Sequence, residues 1–261
     1  MVGNRLRNGG FVFISDPVAL HRRPYDYSNQ DDMRSIAIRR FSQDSLAYLV
    51  ADVQVSRPDA LKTVASSQFL PLSALAQECG AILAVNGDDY ATHEYGVIIR
   101  NGKLLRAHGT THHLLAVDPQ GNMSLVTDRK SVKARALADQ LTASGIVQAF
   151  EFGPALVQNG QALSFPSSFD LISTRPSRRE PRTAIGQIGP LHYLLVVVDG
   201  RQPGYSEGIS LQDLQQLMLQ YGAQTAFNLD GGGSAEMWFM GESINRPSGD
   251  HERSMFDAIY F

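Results

Sequence analysis

One cysteine, Cys79, occurs among the 261 residues, which excludes an intramolecular disulfide and a cysteine-based zinc site. That scarcity suits a cytosol, and equally the many bacterial envelope proteins that do without disulfides. Long apolar runs are also missing. The longest, at 193–198, is far short of the roughly 20 residues that a membrane-spanning helix needs. The opening stretch MVGNRLRNGG has no apolar core of the signal-peptide kind, so neither a transmembrane segment nor a signal peptide is expected. A basic excess is absent as well: the formal net charge is −3, which argues against a protein that coats nucleic acid or an anionic membrane. There is no internal repeat, no low-complexity tract and no G-x-x-x-x-G-K-[ST] phosphate loop. The histidines His21, His93, His108, His112, His113, His192 and His251 include no H-E-x-x-H pair of the metalloprotease type. They read as surface or satisfied core residues, with His93 close enough to a polar turn to reach a cleft.

What is present is the composition of an ordinary globular protein, 43% hydrophobic and 19% charged, with a length ample for a large core. Residues 1–45 are polar and rich in charge (Arg22, Arg23, Asp31, Asp32, Arg39, Arg40) and read as an N-terminal arm or peripheral segment. Residues 46–261 read as the folded domain. Its first strand is expected at 46–55, followed by a short helix from Asp59 through Ala65 and another from Pro71 to a stop at Gly80. A buried strand, 81–85, then runs into Asn86-Gly87-Asp88. Asn101-Gly102 and Asn159-Gly160 each separate two apolar runs, and Asn-Gly suits the type I′ hairpin turn, whose central residues both need φ above zero. A third hairpin is expected around 118–121. Helices are expected at 131–141 and 210–221, the second with Ser210 and Asp213 as a capping box, Gly222 at its stop, and Leu211, Leu214, Leu217, Met218 and Tyr221 on one face. Strands at 182–188 and 192–199 lie close enough to pair directly. The fold class is α+β, with mixed, mainly antiparallel sheet and a few covering helices.

Four strands end in polar, glycine-bearing turns. In AFNLDGGGSAEMWF (226–239), Asn228 and Asp230 precede Gly231, Gly232, Gly233 and Ser234. Three consecutive glycines are costly in chain entropy and make sense where the backbone passes close to a ligand and offers it N–H groups. In EPRTAIGQ (180–187), Arg182 stands where a loop enters a strand, and a fixed guanidinium fork matches phosphodiester oxygens. The flanking Arg175, Arg178 and Arg179 read as a solvated loop. VVVDGRQPGYSEG (196–208) places Asp199 and Arg201 after a buried strand, and AVNGDDY (84–90) does the same for Asn86, Gly87 and Asp88.

Taken in order, AVNGDDY, GVIIRNGKLLR, FGPALVQNG, RTAIG, VVVDGR, a helix, NLDGGGS and the arginine of HERSMFDAIYF resemble the phosphodiester glycosidase family over roughly residues 46–261. The resemblance implies a hydrolase that cuts a sugar from the phosphate on its anomeric carbon. It also implies that Asn86, Asp88, Arg182, Thr183, Asp199, Asn228, Asp230, Gly231, Gly232, Ser234 and Arg253 belong to or border the site. A cell-envelope or extracellular setting and a carbohydrate phosphodiester substrate, such as an N-acetylglucosamine-1-phosphodiester or an exopolysaccharide, follow from the same resemblance. One departure is Asp89-Tyr90, where an aromatic pair is commoner in the family.

In this chemistry the leaving phosphate needs its charge held, an oxocarbenium-like centre needs stabilising, and water or a carboxylate must reach that centre. Arg182, the N–H groups of Gly231–Ser234 and Arg253 suit the first task. Asp230 and Asp199 suit the others, with Asp88 and Glu151 in reserve. No cofactor is called for, although carboxylates in glycine turns are compatible with a divalent cation such as Ca or Mg. A non-catalytic exopolysaccharide-binding or assembly protein using the same cleft is the competing expectation.

Overall fold

Alternation along the 193–198 run puts Tyr193, Leu195 and Val197 on one face and Leu194, Val196 and Val198 on the other, and both faces are buried. This pattern, polar on neither side, belongs to the middle of a layered protein. The structure, a computed structural model, describes residues 25–29, 34–109, 112–128, 133–165, 176–249 and 251–261.

The run forms β14 (His192–Val198) of an eight-stranded sheet. Its order is β1 (Tyr25–Asn29), β2 (Arg34–Gln43), β3 (Leu46–Gln54), β14, β13 (Arg182–Gly189), β15 (Thr225–Asn228), β11 (Ala155–Gln158) and β12 (Gln161–Ala162). A five-stranded sheet has the order β7 (Lys103–His108), β6 (Gly96–Arg100), β10 (Gln148–Phe150), β8 (Leu114–Val117) and β9 (Met123–Val126). A second five-stranded sheet runs β17 (Glu242–Ser243), β16 (Met237–Phe239), β5 (Leu83–Asn86), β18 (Ser254–Tyr260) and β4 (Lys62–Pro71). Every pairing among the described residues is antiparallel. The fold is α+β.

Both small sheets pack on one face of the large one. Ile36, Leu49, Tyr193, Leu195, Ile185 and Phe227 of the large sheet share a core with Leu115 and Phe150 of one small sheet and Leu83, Met237 and Ile259 of the other. On the opposite face lies α3 (Leu211–Gln220), whose Leu211, Leu214, Leu217 and Met218 meet Leu194, Val196 and Val198. Ser210 caps it by accepting the Asp213 N–H, as its sequence suggests, and Gly222 follows at φ +82°. The outer faces of the small sheets carry α2 (Ala134–Ala143) and α1 (Leu72–Glu78). Among the described residues no helix is long and apolar enough to cross a membrane.

Both Asn-Gly turns form as their chemistry requires, with Asn101, Gly102, Asn159 and Gly160 all at positive φ. Two expectations are corrected. The helix through Ala65 is only a single 3-10 turn, Pro58–Ala60, after which the chain enters β4 and pairs with β18; sheet pairing overrides a local cap. Residues 34–43 are not peripheral: β2 pairs with β3 along its whole length and buries Ile36 and Ile38. The charges that suggest an arm alternate with that apolar face. Residues 1–24 lie outside the described residues.

Candidate active site

Antiparallel pairing explains why distant turns meet. Arg182, first residue of β13, lies opposite Val198, last residue of β14, and Ala184 lies opposite Asn228, last residue of β15. The start of β13 and the ends of β14 and β15 therefore share one edge of the large sheet. The end of β5 joins them through main-chain and amide bonds. Leu229 N–H donates to Thr183 O (2.8 Å) and Asp230 N–H to Gly87 O (3.2 Å). Asn86 is the keystone: its Nδ2 donates to Asp230 O (2.7 Å), while its Oδ1 accepts from Thr183 Oγ1 (2.6 Å) and Glu236 N–H (3.3 Å).

The glycine run has a role that its sequence does not announce. Two of its amides are consumed locally: Gly232 N–H donates to Pro181 O (2.9 Å) and Ser234 N–H to Gly231 O (3.1 Å). Its purpose is clearance. A Cβ on Gly231 would stand 2.5 Å from Pro181 O, one on Gly232 3.2 Å from both terminal nitrogens of Arg201, and one on Gly233 3.3 Å from Arg253 Cδ. Gly232 also sits at φ +60°. The missing side chains let two arginines lie against the loop.

More guanidinium groups stand beside it. Glu180, which is buried, accepts from Arg178 Nε through one oxygen and from Arg201 Nε (2.6 Å) through the other. Arg182 is only 2% exposed and donates through Nη2 to Arg178 O (3.2 Å). Burial, reinforced by Arg201 and Arg178 against the pull of Glu180, lowers its pKa to about 10. Three guanidinium groups thus gather around one carboxylate, and Arg253 adds a fourth that forms no ion pair among the described residues. Beside them Asp230 is partly open to solvent but densely surrounded. Burial first, and the charge of Asp89 second, push its pKa up to about 6 against Ser234, the Gly231 N–H and Arg253.

The model of the phosphodiester glycosidase family matches residues 79–261. The chain belongs to the phosphodiester glycosidase family. It is 28% identical over 193 residues to the SPbeta prophage-derived uncharacterized protein YomE of Bacillus subtilis (strain 168), a match covering 71% of this chain and 28% of that protein. The chain therefore spans little more than a quarter of the curated relative it matches. It resembles the zebrafish N-acetylglucosamine-1-phosphodiester alpha-N-acetylglucosaminidase catalytic domain, auto-inhibited by its pro-peptide, with a TM-score of 0.68 at 17% identity. That match covers 91% of this chain and 87% of the other. A hypothetical protein from Synechocystis matches with a TM-score of 0.70 at 15% identity, covering 93% of this chain and 64% of the other. These two likenesses are of fold.

Within this phosphodiester glycosidase framework the structure brings Asn86, Gly87, Arg182, Thr183, Arg201, Asp230, Gly231, Gly232, Gly233, Ser234 and Arg253 together. Three expected residues are committed elsewhere. Asp199 accepts from Asn245 Nδ2 (2.8 Å), Tyr205 Oη (2.8 Å) and Arg246 N–H (3.1 Å), clamping its loop to the 245–246 segment. Asp88 is fully buried against Arg100, which also binds Asp257 (2.9 Å), and it accepts Glu151 N–H (2.9 Å). Asn228 braces Gly153 O through its Nδ2 (2.7 Å). The reserve residue Glu151 is buried and accepts Val97 N–H (2.8 Å).

Sequence reasoning passed over Glu180, read Arg178 as part of a solvated loop, and gave no role to Asp89. The last was legible only as an unusual neighbour of the NGD turn. Among the described residues no group of three or more His, Cys, Asp or Glu side chains is arranged to hold a metal ion. A separate cavity of about 500 Å³, lined by Ser28, Asn29, Arg34, Ser35, Gln54, Val55 and Ser56, lies at the opposite end of the large sheet and contains none of these residues.

Proposed function

We propose that this family member is a hydrolase that cleaves the glycosidic C–O bond of a sugar-1-phosphodiester. The observation that carries this reading is the gathering of Arg182, Arg201 and Arg253 on the glycine turn that also bears Asp230. A guanidinium cluster in partly desolvated surroundings suits a phosphodiester anion and the charge that grows on it as the bond breaks. The leaving phosphate monoester has a second pKa near 6, so it departs as a stable anion and needs little protonation. The demand therefore falls on the sugar side. Asp230, ionised above about pH 6, is the carboxylate to which we assign the oxocarbenium-like centre.

N-acetylglucosamine-1-phosphodiester, the substrate class named for the zebrafish relative, is the first probe. Hydrolysis in heavy-oxygen water tests the bond cleaved: the label is expected on the sugar, and label in the phosphate refutes C–O cleavage. Turnover also separates an enzyme from an exopolysaccharide-binding protein that would use the same cations without cleaving. Asp230→Asn is expected to stay folded and lose activity; near-normal turnover in that variant removes Asp230 from the mechanism.

A further inference from the structure

We propose that Asp89 is the second carboxylate of the reaction, the base that takes a proton from the water attacking the anomeric carbon while Asp230 faces the developing positive charge. This rests on the phosphodiester-cleaving reading given above. In the step, the water oxygen bonds to C1 and the C1–O bond to phosphate breaks. Its electron pair leaves on the phosphate oxygen, and one water proton passes to the Asp89 carboxylate and then to solvent. The products are the free sugar and a phosphate monoester anion.

Elimination among the acids supports the assignment. Asp199 has both oxygens taken by three donors. Asp88 and Asp257 are locked on Arg100, and Glu180 on Arg178 and Arg201. Glu151 and Glu236 are entirely buried. Asp89 is different. It is half-buried, and only one of its oxygens accepts a protein donor among the described residues, Thr92 Oγ1 at 2.8 Å.

Its backbone is held for the purpose. Asp89 is a non-glycine residue in the left-handed region (φ 55°, ψ 34°), and its carbonyl accepts Thr92 N–H (3.2 Å) and Oγ1 (3.0 Å). Strain of that kind is retained where surrounding structure imposes it, commonly at reacting centres. Two residues earlier, Gly87 O accepts Asp230 N–H, so the turns bearing the two carboxylates are directly joined. Asp89 feels the charges of Arg253 and Asp257, and its own charge reaches Asp230. His93 points its Nδ1 at Tyr95 O (3.0 Å) and stacks on the Tyr95 ring at 4.1 Å. Burial lowers the pKa of that imidazole, and its charge, like that of Arg253, favours the ionised form of Asp89. Burial raises Asp89 itself, making it a stronger base than an exposed aspartate.

Asp89→Asn and Asp89→Gly test the proposal, since both replacements accept a left-handed backbone. The assay is hydrolysis of UDP-N-acetylglucosamine and of a panel of sugar-1-phosphodiesters that differ in the sugar, with melting temperature measured alongside. The expected result is a loss in kcat of about 10²- to 10⁴-fold in both variants, KM within a few-fold, unchanged melting, and partial rescue of Asp89→Gly by formate. A kcat within about threefold of the parent protein in either folded variant, with the parent active, overturns the role of Asp89 and leaves the proposed function standing. A parent protein that cleaves no member of the panel overturns both.

Discussion

Arg100 gives the sharpest test of what holds the site in place. Its side chain is 2% exposed, sits between Asp88 and Asp257, donates to Ile99 O (3.1 Å) and Ala149 O (2.6 Å), and stacks over Phe150 at 4.3 Å. Arg100→Met keeps much of the volume and removes the charge, leaving two buried carboxylates with no cation between them. Breaking a buried pair by deleting one partner costs about 3–5 kcal/mol, and the lost cation–π contact adds about 1–2 kcal/mol. Set against a typical total stability of about 5–15 kcal/mol, that is a large fraction.

The sign with pH follows from the acids. Burial first, then Asp88, already raise Asp257, and Arg100 opposes them. Without Arg100 the Asp257 carboxyl rises further. A carboxyl raised above its unfolded value adds stability below that value and loses it as pH climbs through the folded one. The deficit is therefore expected to be larger at about pH 8.5 than at about pH 5.5. Urea unfolding at both pH values measures it, and adding Asp88→Asn and Asp257→Asn to Arg100→Met is expected to recover much of the loss. A deficit under about 1 kcal/mol at the alkaline end, or one that does not vary with pH, refutes the reasoning.

Other outcomes are expected from the same geometry. Gly232→Ala meets a positive φ and pushes on Arg201, so KM for a phosphodiester should rise by about tenfold or more while stability drops by about 1–2 kcal/mol; an unchanged KM in steady-state assays contradicts the clearance role. Asp199→Asn should cost about 1–3 kcal/mol of stability yet keep kcat within about tenfold, and a loss matching that of Asp230→Asn at unchanged stability would return Asp199 to the chemistry. With Asp230 raised to about 6 by burial and by Asp89, kcat/KM should fall by about tenfold per unit below that pH; a profile flat down to about pH 4.5 excludes an ionised Asp230. Glu236, raised by burial and by neighbouring Glu252, adds stability that fades as pH rises from its unfolded value through its folded one. Glu236→Gln should therefore flatten the alkaline loss of melting temperature, and an unaltered profile argues against a proton held there.

The parts of this protein legible in its sequence are those fixed by neighbouring residues. Asn101-Gly102 and Asn159-Gly160 specify their turns, and Ser210 with Asp213 specifies a helix start, because each bond closes within a few residues. The division of the 18 strands among the described residues into three sheets was not legible. A strand buried on both faces, such as β14, says that it is central without saying which strands flank it. The same limit governs the acids. Asp199 and Asp89 look alike locally, each an aspartate in a turn after an apolar strand, and two of the three residues that occupy the first, Asn245 and Arg246, come from more than 40 residues away. The three glycines announced that something approaches the chain; that Arg201 and Arg253 do so was not legible, because both lie outside that segment.

The bonds joining Leu229 to Thr183, Asp230 to Gly87 and Asn86 to Asp230 seat Asp230 and its glycine turn in the seam between two sheets rather than on an independent flap. Widening that seam would mean pulling layers of the core apart. Under the proposed sugar-phosphodiester reading, selection among sugars then falls to side chains around that seam, which can be exchanged at little cost to folding.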